Sequence, residues 1–179
     1  MIRMILATML RRFERRYDYD GAYMHDLLAA SPKAFWALQS VRTLASYREG
    51  APPVALAAAG LAATLSEDCG PCVQIGVRIA EENQAPSDVL RAVLAGDIAG
   101  MGADAALAYQ FAKASLDKDL DRADALRDAV LARWGPQGLS AIALAIAASR
   151  VYPTVKYAMG HGKTCSRVQV GGDLVTVRT

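Results

Sequence analysis

The chain has 179 residues, of which 53% are hydrophobic and only 7% aromatic, and its formal net charge is +2. That length supports one domain with a real core, and its alanine-rich, aromatic-poor composition favours closely packed helices. So small a charge makes no electrostatic case for a nucleic-acid or membrane partner, and three cysteines do not make a secreted disulfide framework.

Residues 3–17 read as an amphipathic helix with a basic face, and five arginines fall between Arg3 and Arg16. This reads as an arm, residues 1–20, that packs on the body or on a neighbouring subunit, with membrane-surface binding as the alternative. Its apolar start is short and is followed by Arg11-Arg12 in place of a small-residue cleavage site, so it does not read as a signal peptide. Residues 22–30 form a short helix. Ser31-Pro32 pairs a cap with a first-turn proline and opens a helix to about residue 47. Gly50-Ala51-Pro52-Pro53 breaks the chain, and Pro53 opens the alanine-rich helix over 54–65. Ser66-Glu67-Asp68 reads as the next helix start, with Ser66 or Asp68 as the N-cap, and that helix runs to about residue 83.

Pro86-Ser87 resets the chain, with Ser87 capping residues 88–96, and Gly100-Met101-Gly102 is a turn. The helix over 103–116 carries Leu107, Phe111 and Ala114 at core spacing. Residues 119–134 alternate charge around a stripe of Leu126, Val130 and Leu131. Gly135-Pro136 is a stop and restart, and the nearly all-apolar helix over 137–151 is buried on most sides. The apolar runs 54–65 and 139–148 are too short to span a bilayer, so a cytoplasmic protein is expected. The tail, 161–179, holds two short strands around Gly171-Gly172-Asp173. A lone hairpin is marginal in water, so it lies on the helical body or pairs across a subunit boundary. The expectation is an all-α body over 21–160, flanked by the arm and a short C-terminal β-hairpin.

Most of the chemistry lies in Cys69-Gly70-Pro71-Cys72. Two thiols separated by two residues close a small reversible ring, and side chains one helical turn apart meet. In the first turn of a helix, unpaired N–H groups and the dipole stabilise a thiolate. Mild oxidation is therefore expected to join Cys69 to Cys72 and leave Cys165 free. Other readings compete. The tetrapeptide is identical to the active-site motif of thioredoxin, but there it follows a buried strand, and here it follows an alanine-rich helix with no βαβ alternation. A structural zinc site needs four ligands, and only Cys165, His161 and His25 remain to complete one. Two buried core thiols with no chemistry are the plain alternative.

The setting of the pair resembles the alkylhydroperoxidase D (AhpD)-like and carboxymuconolactone decarboxylase superfamily. Its redox members carry CxxC at the start of a core helix that follows an alanine-rich helix. The matching stretch is 53–82, with weaker similarity over 103–111 and 136–151. The resemblance implies an AhpD-like helical bundle, a homo-oligomer, no metal or organic cofactor, and a dithiol that reduces peroxides or exchanges disulfides at the expense of a reducing thiol partner. It implies that Cys72 attacks and Cys69 resolves; thioredoxin logic gives the opposite order, and the sequence leaves both open.

The match also departs from the family pattern. The family relay uses a Glu about three helical turns before the first cysteine and a His four residues after the second, and here those positions are Ala57 and Gly76. Peroxide turnover is therefore expected to be slow, while dithiol exchange needs only two sulfurs and access. Glu67, Asp68 and Gln74 are the nearest polar substitutes, although Glu67 and Asp68 also serve as helix-start charges. His161 is a further candidate general base. Decarboxylase members act on a lactone carboxylate and do not need CxxC, so that alternative is disfavoured by the intact pair. A non-enzymatic member with a structural or regulatory role is the other alternative.

The remaining motifs are weaker. Gly160-His161-Gly162-Lys163-Thr164 resembles the end of a phosphate-binding loop, but Tyr157 stands where that motif needs its first glycine. His25, on a short helix beside Asp26, has a similarly weak claim as a general base. Phe35, Trp36 and Tyr47 read as core. Lys156 and Tyr157 matter only if the fold brings them to the cysteines.

Overall fold

The computed structural model describes residues 2–162 and 167–177. In chain order it contains α1 (Ile2–Tyr17), α2 (Ala22–Ala30), α3 (Pro32–Gln39), α4 (Val41–Ser46), α5 (Pro53–Leu65), α6 (Gly70–Glu82), α7 (Ser87–Ala95), α8 (Gly102–Asp117) and α9 (Leu120–Ala158). Two strands, β1 (Arg167–Val170) and β2 (Asp173–Thr176), pair antiparallel, with Val170 opposite Asp173. The protein is all-α with a short β tail, as its composition and periodicity predict.

Alanine decides how the body is built. Ala55, Ala59, Ala62 and Ala63 leave no surface exposed on α5, which is the central helix, and α8 and α9 pack along it. Short side chains at the contact let the helix axes approach closely. The predicted break at Gly135 is present: this residue adopts φ 67° and ψ −174°, and the helix resumes at Pro136 and continues to Ala158. That continuous helix is longer than the apolar run in the sequence. By length and composition alone it contains an 18-residue window apolar enough to cross a bilayer, with mean hydropathy 1.3. Here one side of it packs along α4, α5 and α8: Ala141, Ile142 and Ala148 are buried, while Ala143 and Ala147 on the other side are exposed, which corrects the expectation that this helix is buried on most sides.

The N-terminal segments form a second core. Leu6, Leu10, Tyr23, Met24 and Phe35 close around Ala148 of α9. Ser31 caps α3 as expected, its hydroxyl accepting from the Ala34 N–H at 3.3 Å. The single helix expected over 32–47 is instead two, because the Ser40 hydroxyl donates to the Ala37 carbonyl at 2.7 Å and offers the backbone a local alternative. Ser87 begins α7 but makes no capping bond; Pro86 holds the cap position.

The hairpin lies on the helical body. Val168 and Val170 are fully buried with Val73 and Val77 of α6. The Gln74 side chain donates to the Gln169 carbonyl at 3.0 Å and accepts from its N–H at 2.7 Å. Arg91 pairs with Asp173 at 2.8 Å.

Candidate active site around the Cys69–Cys72 pair

Cys69 itself holds the N-cap position of α6, at φ −108° and ψ 87°, and Cys72 lies in the first turn with its N–H donating to the Cys69 carbonyl at 2.9 Å. Pro71 fits there because first-turn N–H groups have no intrahelical partner to lose. The two sulfurs are joined in a disulfide, with Cα atoms 5.2 Å apart. Neither Ser66 nor Asp68 is the cap. Ser66 ends α5, donating to the Ala62 carbonyl at 3.0 Å, and Asp68 turns the chain at φ 49°. Two contacts tie this connection to α9: Glu67 is ion-paired with Arg150, and the Tyr157 hydroxyl donates to the Asp68 carbonyl at 2.7 Å.

The two sulfurs meet different surroundings. Cys69 is fully buried, whereas Cys72 is 5% exposed and lines an open cavity of about 960 Å³ between the N-terminal segments and α5, α6 and α9. Ala57 and Gly76 line the same cavity. These two small residues thus face the space in front of Cys72 and bring no acid or base to it. A Cβ added at Gly76 would stand 3.1 Å from a terminal methyl of Leu61, which is the nearest obstacle to a side chain there.

What does reach Cys72 comes from elsewhere. The Tyr19 hydroxyl is 3.9 Å from the Cys72 sulfur and 3.4 Å from the Tyr23 hydroxyl, to which it donates. Behind the two rings lies Lys156, with no exposed surface. Its ammonium group donates to the Asp20 carbonyl at 3.3 Å and stands 4.8 Å from the Tyr19 ring centre and 5.7 Å from that of Tyr23. Ammonium over an aromatic face is an attractive arrangement that strengthens away from water. Burial raises the pKa of Tyr19, Tyr23 and Tyr152 above the ordinary phenol value, most strongly for Tyr23. These phenols therefore keep their protons across the range in which a thiol titrates. A Cys72 thiolate in reduced protein would face an O–H donor and the start of a helix, both of which lower its pKa, against burial, which raises it.

The other sequence candidates lie apart from the sulfurs. Glu67 is engaged with Arg150, and His161 bonds to Asp26 at 2.7 Å; among the described residues neither makes a hydrogen bond to a cysteine. His25 bonds to Glu14 at 3.0 Å. Gln74 holds the hairpin, which corrects its reading as a relay substitute. Phe35 is core as expected, but Trp36 is 51% exposed and lines the cavity, since its helix covers only one side of it. Among the described residues no group of three or more His, Cys, Asp or Glu side chains could hold a metal ion. Lys163, Thr164 and Cys165 lie outside the described residues.

Tyr19, Tyr23 and the role of Lys156 escaped the sequence reading. One signal was present: Ala141, Ala145, Ala148, Tyr152 and Lys156 follow one another at spacings of three and four, so the lysine continues a core stripe. No family model, curated protein or solved structure matches this chain.

Proposed function

We propose that the chain is a thiol–disulfide oxidoreductase of the AhpD-like type working through Cys69 and Cys72. The observation that carries this reading is one bonded cysteine pair at a helix start, with one sulfur on the wall of an open cavity and the other buried behind it. That asymmetry favours Cys72 as the attacking sulfur. In the reduced protein the Cys72 thiolate attacks one sulfur of an external disulfide. The external S–S bond breaks, one thiol leaves with a proton, and a mixed disulfide forms on Cys72. The Cys69 thiolate then attacks the Cys72 sulfur and releases the second thiol. Two electrons pass to the substrate, and the Cys69–Cys72 disulfide remains until a reducing thiol partner restores it.

With peroxide, the same attack breaks the O–O bond to give a sulfenic acid and an alcohol, and Cys69 displaces water from that sulfur. The leaving alkoxide needs a proton, and Tyr19 is the acid nearest to Cys72. A phenol whose pKa is raised by burial is a reluctant donor, so peroxide is the slower substrate. The exposed Met4, Ile5 and Met9 on α1 suit a homo-oligomer, in which the arm packs on a second copy.

The test is reaction of the reduced protein with hydroxyethyl disulfide, followed by mass spectrometry. Wild type should end as the Cys69–Cys72 disulfide, Cys69→Ser should stop at a stable mixed disulfide on residue 72, and Cys72→Ser should be inert. Equal behaviour of all three proteins would leave the non-enzymatic alternative standing.

A further inference from the structure

The cavity in front of Cys72 has a one-sided charge pattern. Its walls are mostly apolar, with Phe13, Leu56, Leu61, Ile75 and Ile79 among them. Its charged lining consists of Arg12, Arg16, Arg42 and Arg48, and among the described residues no carboxylate lines it. Arg16 is held by Glu82 at 2.9 Å and Arg48 by Asn83 at 2.8 Å. Arg12 and Arg42 make no hydrogen bond or ion pair among the described residues, and the only charge interaction found for either is that of Arg42 with the Tyr152 phenol.

An apolar pocket alone accepts any greasy molecule; the sign of the charges at its edge selects among them. A volume of about 960 Å³ lies within the range of small-molecule sites. Arginine presents a planar fork of donors that matches a carboxylate. We propose that this cavity binds an amphipathic organic anion, its aliphatic or aromatic body against the walls and its carboxylate at Arg12 or Arg42. That this anion is the substrate of Cys72 rests on the dithiol reading; that it binds does not.

The probe is decanoate, titrated into the oxidised full-length protein by calorimetry and by the fluorescence of Trp36, which lines the cavity. Trp36→Phe supplies the background from Trp134. Decyltrimethylammonium, with the same chain and the opposite charge, is the control. Decanoate should bind saturably below its micelle concentration, at least about tenfold more tightly than the cation, the scale of one charge-assisted contact. The exposed double substitution Arg12→Gln/Arg42→Gln should remove that preference while leaving the helical spectrum intact. Bound decanoate should also slow reduction of the disulfide by dithiothreitol. Equal affinity for both amphiphiles, no saturable binding, or an unchanged preference in the double variant overturns the proposal. So does a solution oligomer whose second copy already fills the cavity and excludes decanoate. Exchange of the reduced protein with hydroxyethyl disulfide, small and neutral, separates the two ideas. Loss of exchange with decanoate binding intact removes the dithiol reading alone; intact exchange without decanoate binding removes the cavity proposal alone.

Discussion

Toward the hairpin, α6 presents Val73 and Val77, both fully packed against Val168 and Val170, with Gln74 bonding twice to the β1 backbone. Toward the cavity, the same helix presents Cys72, Ile75, Gly76 and Ile79 with space in front of them. The first face is filled with β-branched side chains and satisfied bonds; the second is kept open by small residues at positions 57, 60 and 76. One helix thus couples a rigid support to an accessible sulfur. The difference teaches that residues on one face should change stability and those on the other reactivity, with little crossover.

Removing a sulfur is the strongest way to break the comparison. Cys72→Ser should abolish dithiol exchange altogether and leave the hairpin side unaffected, as checked by thiol–disulfide exchange assay and by thermal melting against reduced wild type. Installing an acid–base pair in front of Cys72 should sharpen it. Ala57→Glu with Gly76→His is expected to raise peroxide turnover by about 10²-fold, the low end of what general acid–base help supplies. A stopped-flow assay with an organic hydroperoxide reads this, and the Leu61 methyl must yield a few tenths of an ångström for the imidazole to fit. No gain, in a variant that still folds and still exchanges disulfides, would show that the cavity cannot orient that pair.

On the hairpin side, Val170→Ala should lower stability by about 2 kcal/mol through lost burial and the void left behind, read as a shift of the urea midpoint. The Cys72 alkylation rate should not follow. The smallest expected effect is that of Tyr19→Phe. In the reduced protein the Tyr19 O–H can turn from Tyr23 to a Cys72 thiolate and so lower the thiol pKa; its loss should move the pH profile of alkylation upward by about one unit, at a cost in rate near neutral pH. Because burial keeps Tyr19 protonated, the wild-type profile should show no second inflection from that phenol below its ordinary pKa.

Much of the fold was legible in the chain. Pro53, Gly135-Pro136 and Ser31-Pro32 mark helix boundaries through local backbone chemistry, and the hairpin follows from Gly171-Gly172. The cysteine pair was legible because its geometry needs only a spacing of three. The polar trio at 66–68 misled, since serine and aspartate serve the end of one helix as readily as the start of the next, and the sequence does not fix where the turn falls. The surroundings of Cys72 were not legible. Tyr19 and Lys156 lie far apart along the chain and meet only because α1, α2 and α9 close around one core. The openness of the cavity likewise depends on what is absent at Ala57 and Gly76, and small residues there also suit close packing.

The central claim is that Cys69 and Cys72 act as one redox unit. The direct measurement is equilibration of the full-length protein in glutathione buffers of graded potential, then alkylation and peptide mapping. The account predicts that both cysteines convert together in a single reversible two-electron transition while Cys165 does not follow. No reversible transition, or a main product that bridges Cys165, would contradict it.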